Sequence, residues 1–164
     1  HHTAPSVFRV DNFEEQHMIQ SAADLRAELE AVGVDRFTAR DYRPGTVTHI
    51  VLFKYAPAAT EADRAEVARR FHALAATDRG GAPYIVSITS GAQRSGEAAP
   101  GGFEHGFVVT FSSFGDRNFY VGEPIVTDPE FYDRVHAEFK EFVGPLLAPP
   151  GDVLVFDFAP QPEG

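Results

Sequence analysis

The chain contains no cysteine and no tryptophan. The first absence excludes disulfides, thiolate nucleophiles and cysteine-based metal sites, and it says nothing about compartment. Basic residues are scarce: 14 Lys and Arg stand against 24 Asp and Glu, a formal net charge of −10. That balance argues against nucleic acid or an anionic membrane as partner. No block of Lys and Arg overrides it locally. No apolar run approaches the ~18 residues of a membrane-spanning helix. The opening HHTAPS lacks the charged-then-apolar plan of a signal peptide. The expectation is a cytoplasmic protein with no nucleic-acid and no membrane partner. His1 and His2 read as the remnant of a purification tag and stay outside the reasoning about sites.

What is present is an ordinary core-forming composition. Of 164 residues, 43% are hydrophobic and 12% aromatic, with 15 Phe and 5 Tyr. That fits one globular domain with an extension. Residues 1–20 show no sustained period and read as an arm. SAADLRAELEAVG (21–33) predicts a short helix capped by Ser21, with Leu25, Leu29 and Val32 on one face and Gly33 at its end. Such a helix is a lid, a dimer brace or decoration, and the pattern does not choose among them.

From residue 46 the periodicity sharpens. TVTHIVLFKY (46–55) predicts a strand apolar on both faces, with Val47, His49, Val51 and Phe53 on one and Ile50 and Leu52 on the other. TEADRAEVARRFHALAATDRGG (60–81) predicts a helix opened by Thr60 and Asp63, with Val67, Phe71, Leu74 and Ala75 as its stripe. PYIVSITSG (83–91) and FEHGFVVTFSS (103–113) predict two further strands around a flexible loop. DPEFYDRVHAEFKEFVGPLL (128–147) predicts one helix, N-capped by Asp128 with Pro129 in its first position. DVLVFDF (152–158) predicts a last strand, again apolar on both faces. Between the third strand and that helix, FGDRNFYVGEPIVT mixes aromatics with glycine and proline and reads as a turn-rich link.

The order βαββαβ is that of an α+β, ferredoxin-like unit: a four-stranded antiparallel sheet with two helices on one side. Two-faced apolar strands require a cover for the other side. The simplest is the sheet of an identical chain, giving a homodimer through the sheet face. The N-terminal helix is an alternative cover for part of it.

Five histidines remain for chemistry. His17 and His72 read as surface or boundary residues, whereas His49 and His105 sit inside apolar strands and His136 lies beside the Phe stripe of the last helix. Tyr132, His136 and Lys140 recur at helical spacing. Three His can hold a divalent cation, but no local HxH or HxxxH spacing asks for one. Nothing asks for a porphyrin, and no cofactor is expected. Arg117 reads as a surface charge or as the anchor of an anionic ligand group.

HIVLFK (49–54), GFEHGFVVTFSS (102–113), VHAEFKEFVGPLL (135–147) and VLVFDF (153–158) together resemble the stress-responsive A/B barrel family over residues 46–160, with 1–45 outside the resemblance. The resemblance implies a dimeric α+β barrel. The family includes a plant polyketide cyclase, olivetolic acid cyclase, which closes its substrate by aldol condensation. By that likeness His136 is the main acid/base residue, Tyr120 assists it and His49 orients or relays. His105, Phe71, Arg117, Tyr132 and Phe53 would line the site of a small hydrophobic or aromatic ligand. Two departures are visible. Glu123-Pro124 stands where the family has a His-Pro pair, and Phe71 stands where the cyclase has a pocket tyrosine. Two functions follow as expectations: a cofactor-free cyclase or isomerase acting on an aromatic or polyketide-like carbonyl compound, or a non-catalytic ligand-binding barrel.

Overall fold

The computed structural model describes residues 19–97, 100–149 and 153–160. The expected N-terminal arm, with His17, lies outside them. Two short helices come first, α1 (Ala22–Val32) and α2 (Val34–Phe37). β1 (Pro44–Phe53), α3 (Glu61–Ala73), a two-residue hairpin β2 (Asp78–Arg79) and β3 (Ala82–Pro83), and β4 (Ser87–Ala92) follow. The chain continues through β5 (His105–Ser113), α4 (Phe114–Val121), α5 (Arg134–Val143) and β6 (Val153–Phe158). The long strands form one antiparallel sheet in the order β4-β5-β1-β6. The fold is ferredoxin-like α+β, as the periodicity predicts.

Reciprocal caps start the helices where the sequence places them. The Ser21 hydroxyl accepts from Asp24 N and Ser21 N donates to the Asp24 carboxylate; Thr60 and Asp63 repeat the arrangement on α3. Each cap contributes about 1 kcal/mol. The core lies between the sheet and the helices. Val47, Val51 and Phe53 of β1 and Phe107, Val109 and Phe111 of β5 face Val67, Phe71, Phe139 and Val143 of the helices. Phe71 stacks on Phe107 at 4.1 Å between centroids, and Phe139 meets Phe71 edge-on at 5.1 Å. A second cluster, Phe37, Tyr42 and Val126, receives Leu25 and Leu29 of α1.

Four expectations are corrected. The segment after β5 is a helix, α4, begun by the Ser113 hydroxyl accepting from Asp116 N and ended at Gly122, whose φ is +63°. The last helix does not run from Asp128. A 3₁₀ turn occupies Pro129–Phe131, and α5 begins afresh behind Asp133, which accepts from His136 N at 3.0 Å. Residues 83–91 do not form one strand: Ala82–Pro83 pairs in the small hairpin and the sheet strand starts at Ser87. The N-terminal helix does not cover the far face of the sheet, where Leu154, Phe156 and Phe158 are 39%, 58% and 42% exposed.

Candidate functional site

A cavity of about 470 Å³ lies on the helix side of the sheet. Its walls are mainly apolar and include Val51, Phe53, Phe71, Phe139, Val143 and Leu147. Val153 and Val155, opposite Phe53 and Val51 in the β1–β6 register, share that face and also line it. Eight polar side chains break this background: Asn118, Glu123, Lys140 and a group of five, His49, Asp157, Arg117, Tyr120 and His136.

Register builds the first group. His49 faces the helices because it shares parity with Val47, Val51 and Phe53, and Asp157 lies directly opposite it on β6. His49 Nδ1 is 2.6 Å from Asp157 Oδ1. A carboxylate only accepts, so Nδ1 carries the proton, and Nε2 is the ring nitrogen left for proton exchange. The other carboxylate oxygen, Oδ2, accepts from Arg117 Nη1 at 2.9 Å. Arg117 is 7% exposed, which corrects the surface reading of this residue. Burial alone would raise the Asp157 carboxyl. The His49 hydrogen bond and the His49 and Arg117 charges outweigh it and hold the group below its ordinary value, so it is ionised at neutral pH.

Helix α4 supplies Arg117 and Tyr120, three residues apart and therefore on neighbouring positions of one face. Arg117 Nε donates to Asn118 Oδ1 at 2.9 Å, and Asn118 Nδ2 donates to the Phe37 carbonyl at 2.9 Å. Tyr120 is 1% exposed. Its ring meets His49 edge-on at 5.5 Å, packs on Phe111 at 5.1 Å and stacks on His136 at 3.8 Å. Its hydroxyl is buried without a hydrogen-bond partner among the described residues. Burial, with the charges of Asp133 and Asp157, pushes that hydroxyl well above the ordinary tyrosine range, so it stays protonated.

His136 sits in the first turn of α5, where Asp133 caps the helix and accepts from the Tyr84 hydroxyl at 2.5 Å. His136 Nδ1 donates to the Tyr120 carbonyl at 2.6 Å. Burial lowers its pKa to about 3, so the ring is neutral through the physiological range. Lys140, one turn on, reaches the carbonyls of Val121 at 2.9 Å and Glu123 at 3.3 Å and also lines the cavity.

The structure therefore brings together six of the eight expected site residues: His49, Tyr120, His136, Arg117, Phe53 and Phe71. His105 and Tyr132 are elsewhere. His105 Nδ1 is paired with the Tyr55 hydroxyl at 2.7 Å, with its ring on Phe107 at 4.4 Å. Tyr132 packs on Gly122 and lines a smaller depression with Glu123, Asp133 and Lys140. Tyr132 precedes α5, so it does not share a helical stripe with His136 and Lys140. Asp157 escaped the sequence reading. Its signal was a lone carboxylate in the otherwise apolar VLVFDF. Among the described residues no group of three or more His, Asp or Glu is placed to hold a metal ion.

Sheet order, helix placement and cavity define an α+β protein of ferredoxin-like fold with an internal site between sheet and helices. Residues 47–160 match the Stress responsive A/B Barrel Domain, and the chain belongs to that family. Among solved structures it is similar to protein At3g17210 from Arabidopsis thaliana, at 23% identity and a TM-score of 0.56, covering 72% of this chain and 98% of that one. It is similar to a hydroxynitrile lyase from Passiflora edulis, at 21% identity and a TM-score of 0.54, covering 74% and 98%. A dimeric ferredoxin-like protein of unknown function from Jannaschia sp. CCS1 matches at 18% identity and a TM-score of 0.52, covering 70% and 98%. Likenesses at this level of identity establish the fold. No curated protein matches the sequence.

Proposed function

We propose that this chain forms a homodimer through its open sheet face. Each protomer would bind a small aromatic or polyketide-like carbonyl compound and catalyse proton transfer on it without a cofactor. The observation that carries the reading is the Tyr120 hydroxyl, buried beside the His49–Asp157 pair with no hydrogen-bond partner among the described residues. Leaving a buried hydroxyl unpaired costs about 1–3 kcal/mol. A ligand oxygen in the adjoining cavity supplies the missing partner. A cavity of about 470 Å³ with mostly apolar walls and few polar groups suits such a ligand.

The roles differ from those implied by the family likeness. His49 is the base: Asp157 holds its tautomer so that Nε2 receives the proton, and the carboxylate stabilises the resulting imidazolium. Tyr120 donates to the carbonyl oxygen as it gains negative charge. His136 is a weak proton acceptor, because burial disfavours its charged ring. It instead holds the Tyr120 ring by stacking and the Tyr120 carbonyl by a hydrogen bond. This is the chemistry of an aldol-type cyclase or an isomerase. Cyanohydrin cleavage, the activity of the lyase from Passiflora edulis, also starts by removing one proton, so cyanohydrins belong in the same panel.

The test compares wild type with Tyr120→Phe on aromatic β-diketones, aryl methyl ketones and mandelonitrile. Binding and product formation are followed alongside thermal unfolding. We expect the variant to lose about tenfold or more in affinity or turnover while its Tm holds or rises, since it sheds an unpaired buried hydroxyl. A lower Tm with unchanged binding and turnover would make Tyr120 a fold residue and sink the reading. Binding without turnover throughout the panel would leave the non-catalytic barrel as the function.

A further inference from the structure

We propose that the segment Ala22–Phe37, which precedes the family domain, is an end wall of the cavity and sets the length of ligand accepted, with Leu25 and Phe37 as the specificity-determining residues. The inference rests on the binding role proposed above and goes on to name what bounds the ligand.

The family match begins at residue 47, so this wall is an addition to the shared domain. The similar structures are covered almost to their full length, 98%, while covering 70–74% of this chain. Yet Leu25 and Phe37 line the cavity alongside residues of the shared domain. Phe37 is fully buried and Leu25 half-buried.

The segment and the residues that follow it to Arg43 are docked on α4, which carries Arg117 and Tyr120. Asn118 Nδ2 donates to the Phe37 carbonyl, Phe114 N to the Arg43 carbonyl at 3.1 Å and Gly115 N to the Tyr42 carbonyl at 3.0 Å. The Arg79 guanidinium reaches the Thr38 carbonyl while pairing with the buried Asp116 at 3.0 Å. Asn118 also receives Arg117, which holds Asp157. The wall and the polar group are thus fixed in one frame. Leu25 and Phe37 present hydrocarbon, whereas His49 and Tyr120 present polar atoms. A ligand whose apolar tail runs from that polar group toward Leu25 and Phe37 is limited in length by them.

The experiment measures binding of 4′-n-alkylacetophenones, from methyl to octyl, to the full-length protein by calorimetry. Wild type is compared with Leu25→Ala and Leu25→Trp. In wild type we expect affinity to collapse beyond a certain chain length. Leu25→Ala moves that limit out by about two methylenes and binds the first excluded ketone about tenfold more tightly. Leu25→Trp moves the limit inward, and the shortest ketones bind all three proteins within about threefold. The opposite shifts separate a wall from general loosening of α1. If the series binds with one limit in all three proteins, the segment is not a wall and the inference is overturned. If no ketone binds wild type, the proposed binding role falls and the inference falls with it, a pattern distinct from an unmoved limit.

Discussion

His136 is committed on two sides, its ring stacked on Tyr120 and its Nδ1 donated to the Tyr120 carbonyl. Burial opposes the charged ring and outweighs the Tyr120 carbonyl bond, which favours it. This has a consequence for stability. An unfolded chain protonates this histidine below its ordinary pKa of 6.5, while the folded chain resists until about 3. Between those limits the unfolded state binds the extra proton, so the stability present above pH 6.5 is lost progressively as pH falls. One such group contributes a slope of about 1 kcal/mol per pH unit in the middle of the window. Asp157, with its carboxyl held below an ordinary value of 3.8, acts in the same direction but only in more acid solution. His136→Asn keeps an N–H near Nδ1 and removes the titration. Urea denaturation at pH 4 to 7 is therefore expected to show a shallower pH dependence for the variant, by about that slope. Equal slopes would mean that His136 titrates normally in the folded protein.

Helix α4 carries two of the five polar site groups and is locked to the N-terminal segment by an unusually close approach. A Cβ on Gly115 would lie 1.7 Å from the Ala39 carbonyl oxygen and 3.0 Å from Tyr42 Cβ. Only a residue without a side chain lets the two backbones meet there. Gly115→Ala must push them apart, and we expect a loss of about 3 kcal/mol in urea denaturation. Faster amide exchange in residues 34–42 should accompany it, and unchanged exchange there would show that the two segments do not depend on each other. This helix was also the element least legible beforehand. The four sheet strands and both core helices announced themselves by period, and with them the fold. In α4, by contrast, glycines at 115 and 122 looked like turn residues. Yet Ser113 and Asp116 stood three apart as a cap, which is a helix-start signal. His49, Tyr120 and His136 were visible as residue types. Asp157 was not, because its partnership with His49 depends on strand register, which no local pattern encodes.

On the scale of the whole molecule, the described residues cover the sheet on one side only. The His49 face lies under the helices, while Ile50 and Leu52 point the other way and, by register, share the open face with Phe156 and Leu154. Phe156 is 58% exposed at the middle of the β6 edge strand, with Phe158 at 6.3 Å between ring centroids. Exposed apolar side chains along β6 beside Ile50 and Leu52, in a chain with a net charge of −10, mark a surface that a partner covers. A second copy offers the same face, and two-fold pairing covers both. The cavity lies on the opposite side of the sheet, so its lining residues are not those that pair. Sedimentation of the wild-type protein at micromolar concentration is therefore expected to give a dimer. Phe156→Asp places a charge where it is solvated in the lone protomer and desolvated in the pair, a difference of several kcal/mol against association. That variant should sediment as a folded monomer and still bind acetophenones. A monomeric wild type, or a Phe156→Asp dimer of undiminished affinity, would mean that this face is not where two copies meet.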